Sequence, residues 1–210
     1  MTTTVDFYLD AGCPWTWLAS RWLVDVAEQR DLTVRWRPFS LAKLNEGKEV
    51  PAKFDTPAFR ERAATTNQAL QVITALGEAG DHDGAGRFYT EFGRRLHDGE
   101  EAGDADPIAA AAAAAGVDAS VIEGDGASDI DSAVAASLEE ALAIAGPDIG
   151  SPVLRMDGAA RGFHGPIVSP PPTGEAAAQL FDAIAVLQSQ DGFFEVKRGR
   201  SGPPAVGSRP

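Results

Sequence analysis

The stretch Asp10-Ala11-Gly12-Cys13-Pro14-Trp15-Thr16-Trp17 constrains this chain most, because it joins a strand pattern to a helix pattern across the only cysteine in 210 residues. Before it, Val5-Asp6-Phe7-Tyr8-Leu9-Asp10 alternates apolar and polar side chains, which predicts a half-buried strand. After it, Trp15, Leu18, Ala19, Trp22, Leu23 and Val26 recur at helical spacing, with Ser20, Arg21, Asp25 and Glu28 predicted to face away. Cys13 therefore stands where a strand ends and a helix begins. Pro14 suits the first helical position, since its fixed φ matches the helix and its missing N–H costs nothing there.

A helix N-terminus offers unpaired N–H donors and the positive end of the macrodipole, both of which favour thiolate over thiol. Thr16, one turn above, can donate its hydroxyl to the sulfur. These features predict a Cys13 pKa clearly below that of a free thiol. The alternative reading is a small buried hydrophobe, as lone cysteines often are.

Cys13-Pro14-Trp15-Thr16, placed after a strand and on a helix, resembles the Cys-Pro-Trp-Cys redox motif of the DsbA branch of the thioredoxin superfamily, with threonine in place of the second cysteine. The longer run to Trp17, with Ser20-Arg21-Trp22, is most similar to the mycothiol-dependent nitroreductase/disulfide reductase family of actinobacteria. The resemblance extends over nearly the whole chain apart from its last residues. It implies an α/β, thioredoxin-like fold with a large helical insertion. The expected division is a discontinuous thioredoxin-like domain of residues 1–40 and 147–196, an inserted helical subdomain of residues 41–146, and a flexible tail of residues 197–210.

The sequence supports that division locally. Leu32 to Arg37 is a second alternating run, so a β-α-β unit closes by about residue 39, and a right-handed crossover makes its strands parallel neighbours. Residues 40–56, including Pro51, read as a connector. Thr56-Pro57 then starts a helix with Phe59, Ala63, Leu70, Ile73 and Leu76 along one face. Gly84 to His97 is a second helix, with Phe88, Phe92 and Leu96 inward. Asp106-Pro107 opens an alanine-rich helix that Gly116 ends. A short helix is expected after Asp118, and a longer one from about Asp129 to Ala145. Ile149 to Leu154 enters a strand, and Asp157-Gly158 marks a hairpin between Val153–Met156 and Ala159–Phe163. A final helix begins near Thr173, with Phe181, Ile184 and Leu187 inward.

Composition narrows the functions. A formal charge of −13 argues against non-specific nucleic-acid binding, which needs positive charge to displace counterions. No apolar run is long enough to span a bilayer, and the N-terminus lacks a signal pattern, so the cytoplasm is the expected location. A single cysteine cannot form an internal disulfide, so disulfide chemistry must recruit a thiol from another molecule. His82, His97 and His164 are too scattered to suggest a metal site.

The resemblance assigns roles. Cys13 is the nucleophile, in a catalytic segment with Pro14, Trp15 and Thr16. Trp15 and Trp17 are candidate walls of the pocket. Pro152 corresponds to the cis-proline that faces the cysteine in this superfamily, and Ser151 to the residue whose backbone pairs with substrate. Asn45, in a Leu44-Asn45-Glu46 stretch like that of the family, is a candidate contact to the thiol cofactor, with a turn role before Gly47 an equal reading. His97 reads as a cationic partner of its helix C-terminus, with a part in cofactor binding left open. The implied partners are a low-molecular-weight thiol, mycothiol, and a small electrophilic or disulfide substrate, without metal. Apolar surface around Trp17 is the expected seat of any homodimer contact. The competing readings are a glutathione-using relative of the kappa-class transferases and chromene-carboxylate isomerases, which typically carry serine at the nucleophile position, and a non-catalytic thioredoxin-like redox sensor.

Overall fold

The computed structural model describes residues 2–49, 56–99, 106–120 and 127–207. Its elements run β1 (Thr3–Leu9), α1 (Pro14–Gln29), β2 (Leu32–Pro38), α2 (Leu41–Leu44), α3 (Pro57–Glu78), α4 (His82–His97), α5 (Pro107–Ala115), α6 (Ala127–Ala145), β3 (Val153–Met156), β4 (Phe163–His164) and α7 (Gly174–Gln188). Pro51 and most of the stretch expected to form a short helix after Asp118 lie outside the described residues.

The sheet is ordered β2-β1-β3-β4. β1 and β2 are parallel in the register Thr3↔Leu32 to Leu9↔Pro38. β3 runs antiparallel to β1, and β4 antiparallel to β3. This is a thioredoxin-like sheet, with α3 to α6 between its second and third strands.

Local chemistry accounts for the helix starts. Thr56 Oγ1 accepts from the Phe59 amide ahead of Pro57, and Asp106 Oδ1 accepts from Ile108 and Ala109 ahead of Pro107. α5 ends at Gly116, whose φ of 67° is the left-handed cap that an L side chain rarely adopts. α4 starts two residues earlier than its apolar pattern suggests, because Asp81 caps it through the Gly84 amide. The hairpin is shorter on its return side than expected: β4 begins only at Phe163, and residues 157–162 form the connection.

Long-range packing revises three expectations. Strand β1 is not half-buried, for Val5 through Leu9 are all buried. Its odd residues face the main core with α1, α3, α4 and α7, whereas Tyr8 packs with Phe39, Leu138, Ala141 and Val153 beneath α6. Ser20, expected outside, is fully buried, and Arg21 lies over the Trp17 ring at 4.1 Å and bonds Thr90. The side of α1 that its own periodicity leaves polar is covered by α4. Phe59, expected inward, is 44% exposed near the start of α3.

Burying the second face of β1 requires an answer for Asp6, which is 3% exposed. Arg35 bonds both carboxylate oxygens, Arg155 adds a second guanidinium at 2.8 Å, and Arg155 and Arg37 reach Glu140 on α6. Burial pushes the Asp6 carboxyl up, but its bonds to Arg35 and Arg155 outweigh this and hold it below the usual carboxylate value. A carboxyl depressed on folding stabilises the protein above its unfolded pKa, and that contribution is lost as pH falls through the folded value. Both arginines keep partial access to water, which limits the damage when Asp6 is removed. Asp6→Asn is therefore expected to cost about 1.5 kcal/mol near neutral pH. Urea melts should show that difference shrinking toward pH 3; a constant difference would remove the carboxylate from the account.

Candidate active site

Gly12 and Cys13 form the turn that ends β1 and begins α1. Asp10, 8% exposed, organises it: one carboxylate oxygen accepts from Gly12 N at 2.8 Å and the other from Leu41 N at 2.8 Å. The carboxylate thus ties the cysteine turn to the start of α2. Burial pushes this carboxyl up, against the pull of the Leu41, Gly12 and Cys13 amides.

Cys13 is the N-cap of α1, with extended backbone and Pro14 at the first helical position. Its Sγ lies 3.7 Å from the carbonyl oxygen of Ser151, which the reduced thiol meets as donor. The Ser151–Pro152 bond is cis, and the Ser151 carbonyl just before Pro152 is what faces the sulfur. Ser151 Oγ lies 2.7 Å from Thr16 Oγ1 and accepts from Asp10 N at 2.7 Å. Thr16 is fully buried and Ser151 is 6% exposed. Cys13, Pro14, Thr16, Ser151 and Pro152 are therefore brought together in three dimensions from segments 138 residues apart.

The expected low thiol pKa is overturned. Burial pushes the Cys13 thiol above its ordinary value, and the nearby Asp10 charge adds to that. The Thr16 hydroxyl and the amides of Thr16 and Trp15 pull the other way without offsetting it. A helix start lowers a pKa most effectively where water also solvates the sulfur; here the sulfur faces a carbonyl oxygen and sits near a buried carboxylate.

The other expected site residues divide. Trp15 is partly exposed at the mouth of the site, where the Arg200 guanidinium lies 4.5 Å from its ring centre. Trp17 is 1% exposed and walls no opening. Its ring sits edge-on to Tyr89 and stacks on His97, each at 5.8 Å, and its Nε1 donates to Asp98. The apolar surface expected there for a homodimer contact is accordingly covered by α4. Asn45 is exposed at the end of α2, donating to Leu41 O and accepting from Lys48, in keeping with its turn reading.

His97 is the residue of this region whose surroundings differ most from expectation. It is 8% exposed, and its Nε2 meets Ala11 O at 3.0 Å, which requires the proton on Nε2. Burial lowers its pKa to about 4, with Arg62 and Arg21 adding to the effect against Ala11 and Asp98. A neutral ring cannot serve as the cationic helix partner. It pins the active-site turn to the end of α4 instead.

Residues 197–207 carry no helix or strand, yet they are held at several points beside this site. Besides Arg200 on Trp15, Ala205 N donates to Ser169 Oγ, Val206 packs against the main core, and Gly207 N donates to Asp98 Oδ1. Asp98 Oδ1 therefore receives both the Trp17 indole and the tail backbone.

Among known proteins, an uncharacterized protein of Mycobacterium tuberculosis, Rv2286c, is 30% identical over 204 residues, covering 95% of this chain and 83% of that one. A probable DsbA oxidoreductase from Streptomyces coelicolor has a similar fold, with a TM-score of 0.55, 21% identity and 99% of each chain covered. A 2-hydroxychromene-2-carboxylate isomerase is similar at a TM-score of 0.54 and 16% identity, covering 89% of this chain and 95% of its own. These two structural likenesses speak for the fold alone. Residues 12–198, from the cysteine turn to the start of the tail, match the Rv2466c-like family, described as mycothiol-dependent nitroreductase Rv2466c. With its DsbA-like thioredoxin fold and its lone cysteine at the head of α1, the chain belongs to that Rv2466c-like family of oxidoreductases.

Proposed function

We propose that the protein is a single-cysteine thiol–disulfide reductase that uses mycothiol as its reducing cosubstrate in the cytoplasm. The observation that carries this is the placement of the lone Cys13 at the N-cap of α1, its sulfur 3.7 Å from the backbone of the residue before cis-Pro152. That backbone offers a bound disulfide a place to align, and Thr16 stands where the Cys-Pro-Trp-Cys motif has its resolving thiol. Trp15, reachable at the mouth, is the wall against which a small flat substrate packs.

In the first step the Cys13 thiolate attacks one sulfur of the substrate disulfide. A Cys13–S–S–R bond forms, the substrate S–S bond breaks, and the second substrate sulfur leaves as thiolate and takes a proton. When R is mycothiol, a second mycothiol thiolate attacks its sulfur, releasing mycothiol disulfide and restoring Cys13. For a mixed disulfide of mycothiol and a substrate thiol, the sum is one mycothiol consumed, with mycothiol disulfide formed and the substrate thiol set free. A nitroaromatic compound is the other substrate class: two thiols give one disulfide while the nitro group becomes nitroso and water leaves.

A raised thiol pKa suits a reductant. Strong oxidants of this fold owe their potential to a thiolate held well below the ordinary thiol value, whereas burial holds Cys13 above it. It also makes Cys13 a poor leaving group, so the mixed disulfide persists until free thiol arrives. That persistence favours one second reading, a sensor whose thiol is capped rather than turned over.

Incubation of the reduced protein with mycothiol disulfide at pH 9, followed by intact mass, tests the reading. The expected product is one mycothiol adduct on Cys13, removed by free mycothiol with repeated turnover. An adduct that free mycothiol does not remove would leave the sensor reading. Preference for glutathione disulfide would favour the transferase alternative, and absence of any adduct would end the thiol reading.

A further inference from the structure

Arg200 stands at the mouth of the site without an anionic partner. Its guanidinium lies 4.5 Å from the centre of the Trp15 ring, two residues past Cys13. That contact holds the charge by attraction to the π face and supplies no oxygen for its five N–H donors. Arg200 is exposed, and no hydrogen bond or ion pair of its guanidinium is found among the described residues. Its place is nonetheless fixed from both sides. Phe193 packs edge-on against Phe163 at 5.6 Å before it, and Ala205, Val206 and Gly207 are fastened after it to Ser169, the main core and Asp98.

Charge gives this position a meaning. The chain carries −13, a balance that repels anions, yet residues 197–210 hold four basic side chains and no acidic one. Two of them also bear on His164, whose strand pairs with β3 just past cis-Pro152. Desolvation lowers the His164 pKa, and the charges of Arg200 and Lys197 add to this against Glu195. The basic tail therefore borders both Trp15 and the β3–β4 side of the site. The family match ends at residue 198, two residues short of Arg200, so membership assigns it no role.

We infer that Arg200 is a specificity-determining residue that selects flat aromatic substrates bearing a carboxylate, pairing with that carboxylate while the ring packs beside Trp15. This rests on the reading of Cys13 as the working thiol and names the substrate class of the same site. A guanidinium suits the task because its planar fork matches both oxygens of a carboxylate.

The test is thiol–disulfide exchange of the reduced full chain with two aromatic disulfides at pH 8 and low salt, anionic 5,5′-dithiobis(2-nitrobenzoate) and neutral 2,2′-dithiodipyridine. With each, the Cys13 thiolate bonds one probe sulfur, the probe S–S bond breaks, and the other aryl sulfur leaves with the electron pair and is read by its absorbance. The ratio of the two rates, anionic over neutral, cancels any change in the thiolate fraction of Cys13. Arg200→Gln should lower that ratio about fivefold, the upper range for an ion pair open to water. Arg200→Glu should lower it further, and Arg200→Lys should keep most of it. The gap between wild type and Arg200→Gln should close as salt is raised. An unchanged ratio in Arg200→Gln, or equal acceleration of both probes as if a strap had lifted from the mouth, would overturn the inference and leave the reductase reading intact. No exchange with either probe would overturn the reading of Cys13 as a working thiol, and the inference with it.

Discussion

Gly93→Ala is expected to cost about 3 kcal/mol of stability, at the upper end for overpacking a filled core. Gly93 is buried in α4 where that helix crosses the ring of Trp17. A methyl group there would meet Cζ3 and Cε3 of the indole and lie 2.9 Å from Cη2. The ring has nowhere to go. Tyr89 and His97 hold two sides, Arg21 covers a face, and Nε1 is bonded to Asp98. Alanine would gain up to about 1 kcal/mol of helix propensity, which offsets the clash only in part. For a chain of this size the melting midpoint should fall by roughly 6–12 °C. Gly192→Ala, whose added methyl meets nothing within 4 Å, is the matched control and should stay within about 0.5 kcal/mol of wild type. Equal melts for Gly93→Ala and wild type would mean that α4 does not lie on α1 as described.

The second large effect is expected on acidification. His97 titrates near 6.5 when unfolded and at about 4 when folded, so between those values the unfolded chain binds the proton and the folded one does not. Stability is fully present above pH 6.5 and falls by about 3 kcal/mol on the way to pH 4. Asp10 works in the opposite sense, because a carboxyl raised on folding gains stability as pH falls. The measurement is therefore a difference: denaturant melts of wild type and His97→Gln from pH 7 to 4. Glutamine keeps an N–H for Ala11 O without titrating, so the variant should lose the His97 share of the slope. Parallel curves would show that His97 is not a buried neutral ring.

How much of this was legible beforehand depended on whether the cause was local. Thr56-Pro57, Asp106-Pro107 and Gly116 set helix ends through atoms a few residues away, and they could be read directly. So could the strand–cysteine–helix junction. The burial of Ser20 and the partial covering of Arg21 could not, because they are caused by α4, about seventy residues further along. Periodicity marked Asp6 and Tyr8 as solvent-facing for the same reason: α6 covers them, and the arginines that make a buried Asp6 tolerable come from β2 and β3. The site followed the same rule. Cys13 and Thr16 share a helix turn, and family likeness brought Ser151 and Pro152 to them, but the Ser151 hydroxyl bonds are tertiary facts. The thiol pKa departs from its sequence expectation because helix position is visible in sequence and desolvation is not. His97 departs in the same way: its place in the last turn of α4 suggests a charge, and its burial against Trp17 removes it.

The lone sulfur has one more consequence under the proposed cycle. A dithiol protein can store an oxidation internally by closing a ring, at the mass of two hydrogens. This chain cannot, because Cys13 has no sulfur of its own to close upon. Every disulfide-level form of it carries a passenger, whether mycothiol, substrate or a second copy of the chain. Its redox state is thus also a state of occupancy at the mouth beside Trp15 and Arg200, and the two are read together by weighing the protein.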